Sequence, residues 1–515
     1  MKTTEEVRQE VQRDIDDSKV QEERNRLGQF ATESKLAQEM LAYASRLVSA
    51  NRAVSFLDPA FGTGAFYSAL LKTMPPSRVE RAKAFEIDST YGNAAKRLWN
   101  TTPLDLELAD FTRAEIPKEI DRYNLVICNP PYVRHHHISG SDKVRLQNLA
   151  NRSAGVSLSG LSGLYCYFLC ISHRWMAPGA IAGWLIPSEF MDVNYGREVK
   201  RYLLDRVTLA RIHRFDPEDT QFRDAYVSSA IVWLRNVPPS DDTKVEFTFG
   251  GTLTLPSLAQ TVSTKQLRLA PKWTAYPQQP GRGLTNAHAH LSDFFEVKRG
   301  LATGSNEFFI MSTRDANERG LPEEFLRPIL PPPRVLETQC VEADETGSPV
   351  LKERLVLLDC SLSEQAVRAG YPTLWGYLEE GKKAKVDQRY LCRHRIPWYS
   401  QEKRAASPFL CTYLGRQGTK GGRPFRFVLN FSEATATNVW LMLYPRERIR
   451  PNLKGRRALM EEIWQKLSEI SPSDLVGSGR VYGGGLYKLE PRELGSVPAD
   501  AIANLLDRPN ARSIS

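Results

Sequence analysis

The stretch Asn129-Pro130-Pro131-Tyr132 carries residue types that suit the chemistry of a planar amine. It directly follows an apolar run, residues 123–128, that is typical of a buried strand, and polar residues at the carboxyl ends of parallel strands are where open α/β sheets bind ligands. The two prolines fix φ and remove backbone donors, so the carbonyl of Pro130 is a rigid acceptor. Together with the side-chain oxygen of Asn129 and the ring of Tyr132, it predicts a site for a planar ring that bears an exocyclic amino group. The alternative is a strand that simply ends in a Pro-Pro turn.

A glycine-bearing loop precedes this stretch in the chain. Residues 54–58 predict a strand that ends at Asp58, and a helix is predicted to begin at Ala65. Between them, Gly62 and Gly64 let the backbone approach a ligand closely, and the helix start offers unpaired N–H groups. The loop has neither the dinucleotide fingerprint G-x-G-x-x-G nor the Lys-Ser/Thr pair of a phosphate loop, so it favours a small cofactor without phosphates.

Several further strands end in polar residues, which predicts a doubly wound, Rossmann-like α/β sheet. Predicted strands and helices alternate along residues 54–234, and the strands end at Asp58, Glu86, Asp110 and Asn129. Glu86 stands 28 residues after Asp58, close to the spacing at which a carboxylate binds ribose hydroxyls in a βαβ unit. Any one of these carboxylates alone could be a solvated loop residue. The last strand of the sheet is expected at residues 225–234, with Phe222 in the loop just before it.

Composition and length limit the class of protein. With 515 residues, 41% of them hydrophobic, the chain is expected to form two or three domains with large cores. The charged first 25 residues exclude a secretory signal, and no uncharged apolar segment approaches the length of about 18 residues that a membrane span needs. Seven scattered cysteines without a CxxC pair predict a reduced cytoplasm and no zinc site. Three consecutive histidines at 135–137 cannot all face one ion, so we expect no metal there either.

Positive charge is concentrated near the end of the chain. Residues 381–460 contain 18 Lys and Arg against 4 Asp and Glu. The aromatic residues interleaved with them make a nucleic-acid surface plausible, and a merely solvated basic face is the alternative. We take Arg416, Lys420 and Arg423 as candidate phosphate contacts. The interleaved aromatic residues are Trp398, Tyr399, Phe409, Tyr413, Phe425, Phe427 and Trp440.

A linker signal, Pro238-Pro239-Ser-Asp-Asp242, divides the predicted domains. Before it we expect a peripheral, charged helical extension at residues 1–26 and a catalytic domain at residues 27–240. Beyond it the alternation of strands and helices is lost. Residues 241–515 therefore predict a mixed α+β domain.

Taken together, these motifs resemble those of the N6-adenine DNA methyltransferases of type II restriction-modification systems. Their order is that of the gamma group, with the cofactor motifs and Asn-Pro-Pro-Tyr before the target-recognition domain. Two residues depart from the family pattern: Glu33 stands where Pro is usual and Phe61 where Cys is frequent. The resemblance rests on Leu27-Gly-Gln-Phe-Ala-Thr32, Asp58-Pro-Ala-Phe-Gly-Thr-Gly64, Glu86, Asp110-Phe111 and Asn129–Tyr132 and, more loosely, on residues 297–304 and 483–491.

The resemblance implies S-adenosylmethionine as the cofactor and double-stranded DNA as the partner. Glu86 would bind the cofactor's ribose, and Asp110 and Phe111 its adenine. The methionine end would lie near Asn129 and against Thr32, Asp58, Ala60, Gly62 and Gly64. A target adenine, flipped out of the duplex, would be held by Asn129, Pro130 and Tyr132, with Phe222 on its other face. The resemblance further implies a monomer in a prokaryotic cytoplasm, paired in function with a separate restriction endonuclease that it need not bind stably.

Three other functions fit parts of the same pattern. Methylation of RNA adenine uses the same motif, as does methylation of a protein glutamine, whose amide presents a similar NH₂ group. A DNA-binding subunit with an inactive methylase core is the non-enzymatic alternative, and the intact loop and tetrapeptide argue against it. Only 26 residues precede the first motif, so we expect no fused N-terminal nuclease.

Overall fold

The computed structural model describes residues 2–49, 51–216, 228–240, 242–277, 288–416, 423–482 and 486–507. The chain divides into two compact units. The first comprises Met1–Gly283 with Tyr482–Gly485, and the second comprises Leu284–Val481 with Leu486–Ser515. Within the described ranges, no helix has both the length and the apolar composition that crossing a membrane would require.

The first unit is built on one large sheet, whose described strands follow the order β3-β2-β1-β4-β5-β7-β6-β8-β9. The strands are β1 (Val54–Asp58), β2 (Val79–Phe85), β3 (Leu104–Glu107), β4 (Tyr123–Cys128), β5 (Met176–Pro187), β6 (Thr208–Arg214), β7 (Ser229–Arg235), β8 (Lys244–Gly251) and β9 (Pro256–Ser263). The helices are α1 (Thr4–Ser18), α2 (Gln21–Leu27), α3 (Ser34–Leu47), α4 (Ala65–Thr73), α5 (Ser89–Leu98), α6 (Gly140–Ala154), α7 (Leu164–Ile171), α8 (Arg197–Asp205) and α9 (Thr264–Leu269).

The order of the strands creates a ligand-binding edge. Strands β3, β2, β1, β4 and β5 run parallel, whereas β7 is antiparallel to both β5 and β6. From β1 the chain first builds β2 and β3 on one side, and it then crosses to the other side to form β4 and β5. This reversal makes a topological switch point at the carboxyl ends of β1 and β4. Open α/β sheets bind ligands in the crevice at such a point.

Helices cover both faces of this sheet, as the continuous apolar runs of its central strands require. Alternate residues of β4 enter different cores: Val126 packs with α6 and α7, whereas Leu125 and Ile127 pack with α3 and α4. The predicted doubly wound α/β sheet is confirmed.

Two segments of this unit differ from the prediction. Residues 133–163 are rich in Ser, Gly, His and Arg and have little apolar periodicity, which predicts a loop, but α6 occupies 15 of them. Its periodicity is weak in the sequence because the buried face is narrow, with Leu146, Ala150 and Ala154 among polar neighbours, while Ser139 caps its start. The second difference is the hairpin β8–β9, which follows the linker yet extends the same sheet because β8 pairs with β6. The first compact unit therefore runs to Gly283, about forty residues past the proposed boundary at 240.

The second unit is a mixture of short helices and three small sheets with the orders β10-β18-β15-β17-β13, β11-β14-β12 and β16-β20-β19. Its strands are β10 (Phe295–Arg299), β11 (Ile310–Ser312), β12 (Leu326–Ile329), β13 (Cys340–Val341), β14 (Leu355–Leu358), β15 (Phe409–Thr412), β16 (Leu414–Arg416), β17 (Phe427–Asn430), β18 (Trp440–Pro445), β19 (Arg480–Tyr482) and β20 (Leu486–Lys488). Its helices are α10 (Leu291–Phe294), α11 (Asn306–Phe309), α12 (Thr313–Glu318), α13 (Glu364–Gly370), α14 (Pro372–Lys383), α15 (Arg450–Leu453), α16 (Arg457–Glu469), α17 (Pro472–Ser478), α18 (Pro491–Gly495) and α19 (Asp500–Leu506).

The aromatic residues of the basic block belong to the cores of this unit and not to its surface. All seven of those named above are less than 9% exposed. Phe409, Phe425 and Phe427, for example, pack in the core beneath the sheet of β10, β18, β15 and β17. The positive charge of the block therefore lies over buried aromatic rings, and these rings do not form a stacking platform for bases.

Candidate active site

A cavity of about 540 Å³ opens at the carboxyl ends of β1 to β4, in the crevice that the strand order predicts. Seven of the predicted site residues line the cavity, and they lie in the segments after β1 to β4 or in the segment between α2 and α3. Asp58, the last residue of β1, and Gly64, in the loop that follows, do not line the cavity, but residues next to both of them do. The seven are Thr32, Ala60, Gly62, Glu86, Asp110, Phe111 and Asn129.

The glycine loop between β1 and α4 has a conformation that only glycine adopts readily at one position. Gly64 has φ = 93°, and a Cβ there would lie 2.6 Å from Cζ of Phe61 and 2.7 Å from Nε1 of Trp99. The indole N–H of Trp99 donates a 2.9 Å hydrogen bond to the carbonyl of Thr63, and this bond anchors the loop to the end of α5. The sequence therefore requires glycine here for steric reasons.

Two acidic side chains meet this loop. Glu86 accepts hydrogen bonds from the backbone N–H groups of Gly62 (2.7 Å) and Asp88 (2.8 Å), and burial raises its pKa. Asp58 is fully buried and accepts one bond, from the N–H of Ala60 (3.2 Å), while its other oxygen has no hydrogen-bond partner in the described part of the chain. Burial, with the nearby Glu86, raises the pKa of Asp58 to about 8. This end of the cavity thus favours a ligand that brings hydroxyl donors or positive charge.

At the other end, Asp110 belongs to a network with two arginines. Its carboxylate accepts hydrogen bonds from the backbone N–H and the hydroxyl of Thr112, at 2.8 and 2.7 Å. It also lies 3.3 Å from Arg113 Nε and 3.8 Å from Arg145 Nη2. Next to it, the ring of Phe111 is buried against other aromatic rings, with Phe168 5.4 Å away between centroids. Polar and apolar groups therefore meet where a purine ring could bind.

The side chain of Asn129 is oriented by the segment that follows α2. Its NH₂ group donates to the carbonyl of Phe30 at 2.9 Å and to the hydroxyl of Thr32 at 3.1 Å. These two acceptors determine the orientation of the amide. Its oxygen is buried and has no hydrogen-bond partner among the residues described. Likewise, no described residue donates a hydrogen bond to the carbonyl of Pro130. Both oxygens therefore lack a donor among the described residues, and their use as acceptors for an amine stays a prediction.

Tyr132 is held in place by the protein itself. The side chain is 8% exposed, and its hydroxyl donates a 3.0 Å hydrogen bond to the carbonyl of Leu185. Its ring lies 5.6 Å from that of Phe30, and its backbone N–H donates to the carbonyl of Gly28 at 3.2 Å. Tyr132 does not line the cavity, so a role in covering one face of a target ring stays a prediction. Phe222 lies outside the described residues.

The N-terminal helix α1 contributes lining residues that were not predicted. Arg8, Gln12 and Asp16 face the cavity, although this helix was expected to be peripheral. That expectation is wrong because the charged residues of α1 are not all exposed: Arg8 and Glu5 form an ion pair that is less than 7% exposed. The spacing of four residues between positions 8, 12 and 16, which places them on one face of a helix, was the available signal.

The candidate phosphate contacts lie in the second unit. Arg416 ends β16 and is exposed, and Arg423 is exposed and donates to the carbonyls of Ser468 and Ile470. Lys420 lies outside the described residues. His135–His137 form one turn of 3₁₀-helix, and no cluster of three potential ligands suited to a metal ion occurs in the ranges given above.

Comparisons with known proteins agree with this architecture in both units. The family model described as Eco57I restriction-modification methylase matches residues 67–222. The model described as Type II methyltransferase M.Eco57I, C-terminal domain, matches residues 283–514. Together these two ranges cover more than half of the chain.

Individual relatives match along almost the whole length. The type II methyltransferase M.AccI of Acinetobacter calcoaceticus is 26% identical over 510 residues, covering 96% of this chain and 89% of that protein. M.XamI of Xanthomonas campestris pv. amaranthicola is 28% identical over 491 residues, covering 93% and 86%. Among solved structures, the type IIL restriction-modification enzyme MmeI in complex with DNA has a TM-score of 0.50 at 11% identity, over 93% of this chain and 73% of that one, which is a likeness of fold. The chain is therefore a DNA methyltransferase of a restriction-modification system.

Proposed function

We propose that the chain transfers a methyl group from S-adenosylmethionine to N6 of an adenine that is flipped out of duplex DNA. The observation that carries this proposal is the pair of unoccupied acceptors at Asn129 and Pro130. A planar amino group has two N–H bonds, so one bond to each of these oxygens would satisfy both of its donors. We also propose that the enzyme belongs to the gamma group, in which the cofactor motifs and Asn-Pro-Pro-Tyr precede the target-recognition domain.

The same acceptors explain how the reaction is assisted. The lone pair on N6 of adenine is delocalised into the ring, so the amine is a poor nucleophile. Hydrogen bonds to Asn129 and Pro130 favour a pyramidal nitrogen and stabilise the positive charge that develops on it during attack. The proton leaves after the methyl group is attached, so no strong general base is required. Because Thr32 and the carbonyl of Phe30 fix the amide of Asn129, the acceptor is already oriented before the target enters.

The residues of the cavity fit the proposed cofactor, which supplies a methyl group activated by attachment to a sulfonium. Glu86 lines the cavity beside the glycine loop, and the buried carboxyl of Asp58 behind it has one oxygen without a partner among the described residues, so this end suits a ligand with hydroxyl and ammonium donors. Asp110 and Phe111 offer an acceptor and an apolar surface at the other end. The cavity of about 540 Å³ lies within the range of small-ligand sites.

For the DNA, we propose that the basic block of the second unit contacts the phosphate backbone. Arg416 and Arg423 are exposed, and the block's excess of Lys and Arg is available for electrostatic attraction. We also propose that the enzyme works alongside a separate restriction endonuclease and does not need to form a stable complex with it. We further propose that the enzyme acts as a monomer in a prokaryotic cytoplasm. Gel filtration with light scattering would test the oligomeric state.

The deciding experiment is transfer of a tritiated methyl group to duplex DNA, to RNA and to protein, with the wild type and two variants. Asn129→Ala removes one acceptor for the amine, and we expect kcat to fall by about 10²-fold or more with little change in cofactor affinity, as for loss of one oxyanion-hole donor. Asn151→Ala, at an exposed position of α6, is the matched control and should keep full activity.

Near-normal turnover by the Asn129→Ala variant would remove this residue from the active site. Preferential labelling of RNA or of protein would replace DNA adenine as the substrate by one of the two alternatives. Methylation-sensitive long-read sequencing of DNA from cells that express the chain would then identify the modified base and its sequence context.

A further inference from the structure

We propose that helix α1 is part of the cofactor site, with Gln12 and Asp16 contacting the amino-acid portion of the cofactor. This inference rests on the proposed function, since it assigns residues to the cofactor of that reaction. It concerns a helix that precedes every motif in the chain and that its charged composition alone would place on the surface.

The glycine loop connects α1 directly to the cavity. Arg8 Nη1 donates a 3.0 Å hydrogen bond to the hydroxyl of Thr63, and that hydroxyl donates a 2.7 Å bond to Oε1 of Gln12. Thr63 stands between Gly62 and Gly64, the two glycines that let a ligand approach the backbone. Gln12 is therefore held against the loop that the resemblance associates with the methionine end of the cofactor.

A buried ion pair fixes the start of the helix. Arg8 and Glu5 share two hydrogen bonds, at 2.8 and 2.7 Å, which is the planar arrangement that makes Arg–carboxylate pairs specific. Ser34, at the start of α3, donates to Glu5 and accepts a 2.9 Å bond from Arg8. A buried charge pair with all of these partners has a defined position, so Arg8 and Glu5 act as positioning residues for the side chains one and two turns further along α1.

Further along, α1 is held by the other elements of the site. Tyr91 of α5 donates a 2.7 Å hydrogen bond to Asp16, and Lys19, just after the helix, forms an ion pair with Asp88. Asp88 follows Glu86 by two residues and donates its own N–H to that carboxylate. The wall formed by α1 therefore runs alongside the residues that line the cavity.

The chemistry of Gln12 and Asp16 suits a zwitterion. The amide nitrogen of Gln12 donates one of its two N–H bonds to Asp16 at 3.0 Å, which leaves the second for a ligand oxygen. Asp16 accepts that bond and the Tyr91 bond through the same oxygen, Oδ1, which also lies 3.5 Å from Nη1 of Arg24. Within the described part of the chain its other oxygen, Oδ2, makes no hydrogen bond or ion pair, so this oxygen is the one left for a ligand ammonium. One free N–H beside one free carboxylate oxygen matches the carboxylate and ammonium of an amino acid.

The position of Gln12 favours the amino-acid end over the nucleoside end. Glu86 and Asp110, at the ends of β2 and β3, are the carboxylates expected to hold the ribose and the base. Gln12 instead bonds to Thr63, which lies in the loop after β1. We therefore expect the loss of Gln12 to affect only ligands that carry an amino-acid portion.

Two ligands distinguish contacts to the amino-acid portion of the cofactor from contacts to its nucleoside portion. S-adenosylhomocysteine and 5′-methylthioadenosine are both uncharged at sulfur, and they differ in the amino-acid portion that only the first one has. We would measure both dissociation constants by isothermal titration calorimetry on the full-length protein. The variants are Gln12→Ala, Gln12→Glu and Asp16→Asn, and the matched control is Asp14→Asn, an exposed position on the same helix.

We expect Gln12→Ala and Asp16→Asn to weaken S-adenosylhomocysteine binding by about tenfold, the loss typical of one hydrogen bond to a charged group. Gln12→Glu should weaken it further because it replaces a donor by a negative charge. The constants for 5′-methylthioadenosine should stay within about twofold of the wild type, and Asp14→Asn should change neither ligand. Thermal melting of each variant reports whether the fold is retained.

An equal loss for both ligands would show that α1 only supports the fold, and an unchanged constant for S-adenosylhomocysteine would show that the pair does not touch the cofactor. Either result overturns the inference while leaving the proposed function intact. If instead the wild-type protein binds neither ligand, the proposed function itself fails.

Discussion

We expect Asp58 to make binding of the proposed cofactor dependent on pH. Its carboxyl is buried, one of its oxygens has no partner among the described residues, and its pKa is raised from 3.8 to about 8. A donor or a positive charge on the ligand stabilises the ionised form of this group, so binding and ionisation favour each other. With a pKa of about 8, about one tenth of the protein has an ionised Asp58 at pH 7 and about nine tenths at pH 9. The apparent affinity for S-adenosylmethionine should therefore rise by about tenfold over this interval.

The assay is calorimetric titration with S-adenosylmethionine at several pH values between about 6.5 and 9.5, a window centred on the raised pKa. The amino group of the ligand also titrates in this window, so the quantity to compare is the ratio of wild type to Asp58→Asn at each pH. The asparagine keeps the size of the side chain and cannot ionise. We expect the ratio to increase with pH and to level off above about pH 9.

The same shift predicts how stability changes without the ligand. The raised pKa means that the fold favours the protonated carboxyl, so its contribution to the free energy of unfolding is complete below about pH 4 and is lost as the pH rises through about 8. Urea unfolding should thus show a decline toward alkaline pH that is smaller in Asp58→Asn. A pH-independent ratio of affinities, together with identical stability profiles for the two proteins, would refute the reasoning.

Three further predictions follow from individual contacts. Thr32→Val removes the 3.1 Å hydrogen bond to Asn129 while nearly keeping the volume, and kcat should fall by about fivefold to tenfold in steady-state methylation assays, whereas Thr32→Ser keeps the hydroxyl and should retain most activity. Gly64→Ala places a Cβ within 2.7 Å of Phe61 and Trp99 in a left-handed conformation, so urea unfolding should show a loss of about 1–3 kcal/mol; an unchanged midpoint would mean that the loop adapts. Replacing Arg416 and Arg423 with Ala should weaken binding to all DNA sequences and lower the slope of log affinity against log salt by about 0.9 for each lost phosphate contact; an unchanged slope would place the DNA on another surface.

The central part of the fold could be predicted because its signals are local. A strand that is buried on both faces, followed by a polar residue and a glycine or proline, is visible within ten residues, and Asp58 and Asn129 both follow that rule. The acceptors of the tetrapeptide were predicted for the same reason. Their geometry depends mainly on the fixed φ of proline and on the direction of β4.

What could not be predicted depends on partners far away in the chain. The burial of Arg8 requires Thr63, 55 residues later, and no pattern within α1 reveals that partner. The pairing of β8 with β6 likewise depends on an edge of the sheet that becomes available only in the folded protein. The proline-rich linker between β7 and β8 instead predicts a domain boundary at this point of the sequence. The aromatic residues of the basic block show the opposite problem, since the same composition describes a stacking surface and a core covered by cations.

In the proposed reaction, the short segment after α2 would connect the cofactor site to the acceptors for the target amine. The carbonyls of Gly28 and Phe30 accept from Tyr132 and Asn129, and the hydroxyl of Thr32, which lines the cavity, accepts from Asn129 as well. A ligand that immobilises this segment also immobilises the acceptors for the target amine. Linkage then requires reciprocity: if the cofactor tightens binding of the flipped base by some factor, the base must tighten binding of the cofactor by the same factor. Release of the demethylated cofactor should accordingly be slowest while the base still occupies its acceptors.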